Sequence, residues 1–424
     1  MRYFFILGTN PTLSIAEILA VFPGENYELI NKDVFLLDTE EINAQEMIKK
    51  LGGTIKIGKI EKKIENKKEQ IAEAVSERVK EVEGKFNFGI SYYGEGKYDT
   101  KPLGMEAKNK LKSMNINSRF VTSREKTLSS VVVKQNKLTK PGEGSEFVLI
   151  KSPLKIPLNS PLAKGAIGEG GGKEFLFGRT LAVQPFKELS FRDYGRPARD
   201  DFSGMLPPKL AQIMINLATA GTGHAPFLLD PFCGSGTILS EAMLMGYKNL
   251  IGSDLSGKAV EDTKKNLEWI KTNYQLPITN DRLYNVSATE ISKVVKPNSI
   301  DAIATEPFLG PQRGKIDFIK IKQELEKLYS DSLREFYKIL KPKGRVVMIF
   351  PFFTAPLVNS PLKGGIGTKQ YVTNLDPNLN GFKIVNPIPE DLRKNKILKL
   401  TERGTIIYGR EGQKVWREIV VLKK

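Results

Sequence analysis

The chain has 424 residues, enough for two or three domains, and a hydrophobic content of 40% suits a globular protein. Lysine and arginine number 65 against 48 acids, a formal net charge of +17 that points to an anionic partner, most simply nucleic acid. One cysteine, Cys233, excludes an intrachain disulfide framework and a multi-cysteine zinc site, and the one histidine, His224, argues against histidine acid–base chemistry. No metal is expected. The apolar stretch from Tyr3 to Leu7 is too short for a signal peptide and no run reaches membrane length, so a cytoplasmic protein without membrane contact is expected.

Arg2 to Leu7 reads as a strand. Ser14 is placed to cap a helix carrying Ile15, Ile18, Leu19 and Phe22, with Glu17 at the capping-box position. Val34 to Leu37 is a strand, Ala44 to Leu51 a helix ended by Gly52-Gly53, and Ile55 to Ile60 a strand. This order predicts a small α+β layer over residues 1–60.

From Glu61 the chain turns basic. Ile71, Val75, Val79 and Val82 recur at helical spacing, and Phe86 to Tyr92 alternates like a strand. Met105 to Met114 is helical and lysine-rich, and Arg119 to Thr122, Ser130 to Lys134 and Glu146 to Ile150 read as strands. Lys108, Lys112, Arg119, Arg124, Lys126 and Lys134 crowd into this segment. They are either a solvated face or a phosphate-tracking surface, since clustered cations release counterions when they bind RNA.

The peptide from Pro157 to Gly168 nearly recurs from Pro356 to Gly367; both contain Asn-Ser-Pro-Leu, at 159–162 and 359–362. The flanking sequences do not match, so both read as inserted surface loops, over 156–174 and 356–369. Phe175 to Gln184 resumes a strand. Residues 175–205 are taken as a linker, and within it the Arg/Asp-dense link from Arg192 through Arg196 to Asp200 is too charged to be core and reads as a joint or part of the site mouth. Pro207 and Pro208 suit the first turn of a helix whose buried face is Leu210, Ile213, Met214 and Leu217.

Phe227 to Leu229 is a short apolar strand ending in Asp230. Gly234, Ser235 and Gly236 follow, then a helix over Ile238 to Met245, then a second apolar strand ending in Asp254. In nucleotide-type sites the glycine loop approaches the ligand and the acid at the second strand end takes ribose hydroxyls. A helix over Ala259 to Ile270 and a strand over Arg282 to Val286 come next, followed by Ser287-Ala288. Ile300 to Ala304 is the fourth strand, followed by Thr305-Glu306-Pro307-Phe308. A long amphipathic helix, Gln323 to Leu340, is ended by Lys341 to Gly344, and Arg345 to Phe350 is the fifth strand. Phe382 to Val385, Ile397 to Leu400, Thr405 to Tyr408 and Trp416 to Leu422 can complete the sheet. Alternating strands and helices predict a doubly wound parallel sheet over 206–424, with Asp230, Asp254 and Glu306 all at carboxyl ends of strands.

The string Asp230-Pro231-Phe232-Cys233-Gly234-Ser235-Gly236-Thr237 resembles the S-adenosylmethionine loop of class I methyltransferases that act on amino groups. With Gly178-Arg179-Thr180, Arg192-Asp193-Tyr194-Gly195-Arg196-Pro197, Leu206-Pro207-Pro208-Lys209-Leu210-Ala211 and Thr305-Glu306-Pro307, the stretch from Phe177 to Gly310 resembles the tRNA guanine-N2 methyltransferases of the archaeal and eukaryotic position-10 type. The N-terminal part looks like a ferredoxin-like unit over 1–60 followed by an RNA-binding THUMP domain over 61–155. The resemblance implies a Rossmann-like α/β methyltransferase domain preceded by an α+β RNA-binding region, S-adenosylmethionine as cofactor and tRNA as partner, with the need for a small activator subunit left open. It implies a cofactor site made of Asp230, Phe232, Gly234, Ser235, Gly236, Thr237, Asp254, Leu255, Ser287 and Ala288, and an acceptor site made of Glu306, Pro307 and Phe308. It also adds Arg196 to the RNA-contacting cations. Related enzymes carry Asp/Asn-Pro-Pro-Tyr/Phe after the fourth strand, and this chain has Glu306-Pro307-Phe308. The alternative is a non-catalytic RNA-binding scaffold or chaperone that keeps the fold.

Overall fold

The computed structural model describes residues 1–424 except 80, 81, 83, 152–173, 200–204, 223–225, 278, 312–317, 356–370, 374, 411, 412 and 414. His224 and both copies of the Asn-Ser-Pro-Leu peptide therefore lie outside the described residues. The chain forms two compact units. The first holds Met1–Pro11, Gly24–Lys49 and Thr54–Pro185, and the second Thr12–Pro23, Lys50–Gly53 and Phe186–Lys424.

The elements up to Pro185 are β1 (Arg2–Leu7), α1 (Pro11–Val21), β2 (Asn26–Asn31), β3 (Val34–Asp38), α2 (Ala44–Lys50), β4 (Thr54–Glu65), α3 (Lys68–Glu77), β5 (Phe86–Tyr93), α4 (Lys101–Ser113), β6 (Ser118–Val121), α5 (Ser130–Gln135), β7 (Gly144–Lys151) and β8 (Glu174–Val183). Their strands make one eight-stranded sheet in the order β2-β3-β1-β4-β8-β7-β5-β6. β8 runs antiparallel to both neighbours, with Ile60↔Gly178 on one side and Phe147↔Arg179 on the other. Part of the stretch read as a linker is thus an interior strand of the first unit, and a single sheet runs through residues 2–183.

The apolar face of α3 (Ile71, Val75) and α4 (Leu103, Leu111) packs on Phe88, Phe147 and Phe177 of the sheet. One charged pair lies inside this unit. Lys56 Nζ donates to Glu146 Oε1 at 2.6 Å, with the side chains 2% and 0% exposed. Ser91 Oγ and Thr180 Oγ1 also donate to Glu146, and Lys56 to the Leu128 carbonyl. β4, β5, β7 and β8 are thereby joined by a polar cluster whose members have partners, the condition under which a buried charge is tolerable.

Three local expectations change in the elements up to Pro185. Ser14 does not cap α1: the helix begins at Pro11, and Ser14 Oγ donates to the Gly53 carbonyl at 2.6 Å. Glu17 is buried in the same helix and accepts from Gly52 N, Gly53 N and Asn216 Nδ2, serving a neighbouring loop instead of its own helix end. Ser130 to Lys134, read as a strand from its valines, is the helix α5, whose first turn is capped by Ser129 Oγ accepting from Val132 N. β2 went unread because an edge strand needs no alternating apolar pattern; Asn26 and Asn31 close its two ends.

The second unit continues with α6 (Phe186–Tyr194), α7 (Pro208–Ala218), β9 (Phe227–Asp230), α8 (Thr237–Leu244), β10 (Asn249–Asp254), α9 (Gly257–Tyr274), β11 (Asn280–Asn285), a 3₁₀ turn (Ala288–Lys293) and β12 (Ile300–Thr305). After these come α10 (Phe318–Ile339), β13 (Leu340–Ala355), β14 (Tyr371–Thr373), β15 (Lys383–Ile384), α11 (Glu390–Arg393), β16 (Ile406–Tyr408) and β17 (Val415–Lys423). The nine strands run β11-β10-β9-β12-β13-β17-β15, with β14 on β13 and β16 on β17. β9 pairs in parallel with both β10 and β12, so the chain winds outward in one direction to β11 and in the other to β13. That reversal creates a crevice at the carboxyl ends of β9, β10 and β12, the usual place for a ligand in such sheets. Ile397 to Leu400 forms no strand: Asn395 turns the chain there, its Oδ1 accepting from Ile397 N and its carbonyl from Leu398 N.

Candidate functional site

The glycine loop is shaped first by backbone. Gly234 and Gly236 have φ of +51° and +81°, and a Cβ on Gly236 would come within 2.9 Å of Thr263. Side chains from α9 hold the loop from one side: Thr263 Oγ1 donates to the Gly234 carbonyl at 2.8 Å and Asn266 Nδ2 to the Ser235 carbonyl at 2.7 Å. From the second strand end, Asp254 Oδ2 accepts from Gly234 N at 3.0 Å while its Oδ1 accepts from Ser256 N at 2.9 Å. Asn285 fixes the next turn by donating to the carbonyls of Asp254 and Leu255.

Beneath the loop lies a buried charge cluster. Arg192 donates twice to Glu241 on α8, and Gln212 Nε2 donates to Glu241 Oε2 at 2.9 Å. Arg196 Nη1 donates to Thr237 Oγ1 at 2.6 Å, at the first residue of α8. The Arg192–Arg196 stretch was expected to be too charged for the interior, and Arg196 to contact RNA. Both arginines are instead only 7% exposed, because the Glu241 carboxylate and the helix start offer them partners.

The three strand-end acids meet across one cavity of about 790 Å³. All the cofactor and acceptor candidates named from sequence line it except Gly236, the N-cap of α8. Asp230 is buried; its Oδ1 accepts from Thr305 Oγ1 at 2.7 Å and from Phe232 N at 3.3 Å. Burial pushes its carboxyl up to about 7, the two hydrogen bonds pull it down, and the charges of Asp254 and Glu306 push it up again. Cys233, beside it, is buried and its thiol is pushed far up, which leaves an inert sulfur. Glu306 is also held above the ordinary carboxylate range by burial, and Arg417 opposes that shift. Phe308 is 57% exposed at the cavity wall, while its carbonyl accepts from Tyr329 OH at 2.9 Å. Ser287 caps the 3₁₀ turn by accepting from Thr289 N.

Sequence reasoning missed Arg417, whose Nε donates to Glu306 Oε1 at 2.5 Å. It lies 111 residues further along the chain, in no motif. Thr263 and Asn266 carried a usable signal, being polar residues three apart on the otherwise apolar inner face of α9. In the first unit Lys108, Lys112, Arg119, Arg124 and Lys134 are exposed. Lys126 is half-buried and donates to the carbonyls of Gly94 and Gly96, so part of its charge is committed to the fold.

An acidic, partly apolar crevice with an open glycine loop suits a ligand that is cationic at one end and carries hydroxyls at the other. Residues 196–356 match the family model described as UPF0020, RMKL-like, methyltransferase domain. The chain is 32% identical over 181 residues to a tRNA (guanine(10)-N2)-dimethyltransferase of Methanothermobacter thermautotrophicus, covering 42% of this chain and 48% of that one. It is 35% identical over 215 residues to the enzyme of the same name from Methanocaldococcus jannaschii, covering 48% and 54%. The matches thus span about half the length of these curated relatives. Among solved structures, TrmN from Thermus thermophilus superposes with a TM-score of 0.50 at 17% identity, covering 100% of both chains, a likeness of fold. The second unit therefore has a Rossmann-like α/β fold, and residues 196–356 within it match a methyltransferase-domain model. No helix among the described residues is long and apolar enough to cross a membrane.

Proposed function

We propose that this protein transfers a methyl group from S-adenosylmethionine to the exocyclic N2 amino group of a guanosine in tRNA. The carrying observation is the convergence of Asp230, Asp254 and Glu306 on the cavity beside the glycine loop. The residues fit the cofactor. Gly234 offers its backbone to a ligand with no atom within 4 Å of where a Cβ would stand. Asp254 lies where ribose hydroxyls are taken, and Asp230 supplies negative charge for the methionine end. When bound, the cofactor supplies an electrophilic methyl on a sulfonium.

The remaining work falls to the chain. Phe308, exposed beside Glu306, offers a ring face on which a flat base can stack. Glu306 accepts an amino hydrogen and stabilises the positive charge that develops on nitrogen, more in the transition state than in the ground state. Pro307 is buried and stiffens the backbone between the two. The first unit, read as ferredoxin-like and THUMP-like, carries the exposed cations Lys108, Lys112, Arg119, Arg124 and Lys134 toward RNA phosphates.

The test is calorimetric titration with S-adenosylmethionine, followed by transfer of labelled methyl to bulk tRNA and identification of the modified nucleoside. Methylguanosine bearing the label at N2 is the expected product. Cofactor and tRNA binding without transfer would favour the scaffold reading.

A further inference from the structure

Glu306 follows β12, and Arg417 lies on β17, opposite Pro351 of β13 and Tyr408 of β16. β12 and β17 flank β13 in the sheet. Arg417 Nε donates to Glu306 Oε1 at 2.5 Å, with the side chains only 14% and 13% exposed. The guanidinium Nη groups have no partner among the described residues. A surface pair of this kind would mean little, but here both charges are largely withdrawn from water, where a partner matters most.

We infer that Arg417 is a positioning residue of the acceptor site, fixing Glu306 by one oxygen so that the other is presented to the substrate's amino group. This rests on the reading of Glu306 as acceptor. Three observations carry it. Glutamate has a long stem with several rotamers, and a bond to one oxygen selects among them. Glu306 also shares its cavity with Asp230 at the end of β9 and Asp254 at the end of β10, and its charge helps to raise the Asp230 carboxyl. The Tyr329 hydroxyl on α10 offers no positive charge, Lys258 on the same cavity wall is paired with Asp262, and Arg417 is the cation bonded to Glu306. Lastly, burial disfavours the carboxylate and Arg417 acts against burial. A neutral Glu306 would be a poorer acceptor and could not stabilise charge developing on nitrogen.

The test compares the full-length parent with Arg417→Gln and Arg417→Lys in single-turnover methyl transfer to tRNA from about pH 5 to about pH 9. Removing the counter-charge raises the Glu306 pKa, so the acid limb of the Gln profile is expected to move to higher pH. At neutral pH its rate is expected to fall on the order of 10- to 100-fold, with cofactor affinity unchanged. Arg417→Lys keeps the charge and loses the directed Nε contact. Its limb stays near the parent's and its plateau drops severalfold, and it carries the test if the Gln variant does not fold. A folded Gln variant with the parent's pH profile, or a Lys variant with the parent's plateau, overturns the inference. A parent that transfers no methyl overturns the functional reading and this inference with it, and so is distinguishable from either.

Discussion

Arg192 grips Glu241 through two hydrogen bonds, Nε to Oε1 at 2.7 Å and Nη2 to Oε2 at 2.9 Å, with both side chains almost wholly buried. Glu241 belongs to α8, the helix that grows out of the glycine loop, so this pair anchors the floor of the site. Arg192→Met leaves the buried carboxylate with Gln212 as its remaining hydrogen-bond donor and Arg196 as the nearest cation, and is expected to cost about 3–5 kcal/mol in urea unfolding at neutral pH. Burial already holds Glu241 above the ordinary carboxylate range. Without Arg192 it protonates more readily, so the loss shrinks as pH falls. A loss that stays constant with pH would show that packing alone is at stake.

Asp230 brings the cofactor site its own pH dependence. Its folded value, about 7, stands above the ordinary one, so the folded state disfavours its ionisation. The stability it contributes is full at low pH and is lost as pH rises through about 7. Asp230→Asn keeps the oxygen that accepts from Thr305 and Phe232. At about pH 8 it is expected to unfold at higher urea than the parent, by at most about 4 kcal/mol at roughly 1.4 kcal/mol per pK unit. Its affinity for S-adenosylmethionine moves the other way. A cationic ligand favours the ionised acid, so parent affinity rises as pH passes through about 7, and the Asn variant binds weakly and without that rise. Calorimetry across this range checks both statements, and a parent affinity flat in pH would remove Asp230 from the ligand's charged end.

Asp254→Ala removes two contacts that organise the loop, to Gly234 N and Ser256 N, as well as the proposed acceptor for ribose hydroxyls. Cofactor affinity is expected to weaken by about 1–3 kcal/mol. Unchanged affinity in titration would place the ribose elsewhere. The thermal midpoint separates a local effect from a global one, since Asp254 lies at the rim of the sheet.

Phe308→Ala leaves the backbone bond from Tyr329 intact, because that bond uses the carbonyl. The exposed ring is expected to contribute about 1–3 kcal/mol to base stacking. The loss is expected in apparent tRNA affinity, with cofactor affinity preserved. An equal loss in both would mean that the ring closes over the cofactor.

Much of the site could be read because its parts are local. A strand, a glycine turn, a helix and a strand-end acid lie within 29 residues from Pro226 to Asp254, and the parallel sheet brings Glu306 alongside. What escaped reading depends on tertiary partners. Arg417 has no neighbouring signal, and only β13 lying between β12 and β17 brings it to Glu306. Arg192 and Arg196 looked like solvent-facing charge because sequence does not show that Glu241 and Thr237 await them. Three valines at 131–133 argued for a strand, and a serine cap with helical packing of Val133 prevailed.

The place of β8 bears on how the protein is made. Residues 2–65 and 86–151 supply two part-sheets, and each presents an unpaired interior edge, β4 in one and β7 in the other. Only Glu174–Val183 satisfies both edges at once. On the ribosome, the nascent chain therefore carries two sticky strand edges until residue 183 has emerged, a window in which chaperone capture competes with aggregation. A fragment stopped at residue 151 would remain in that window permanently.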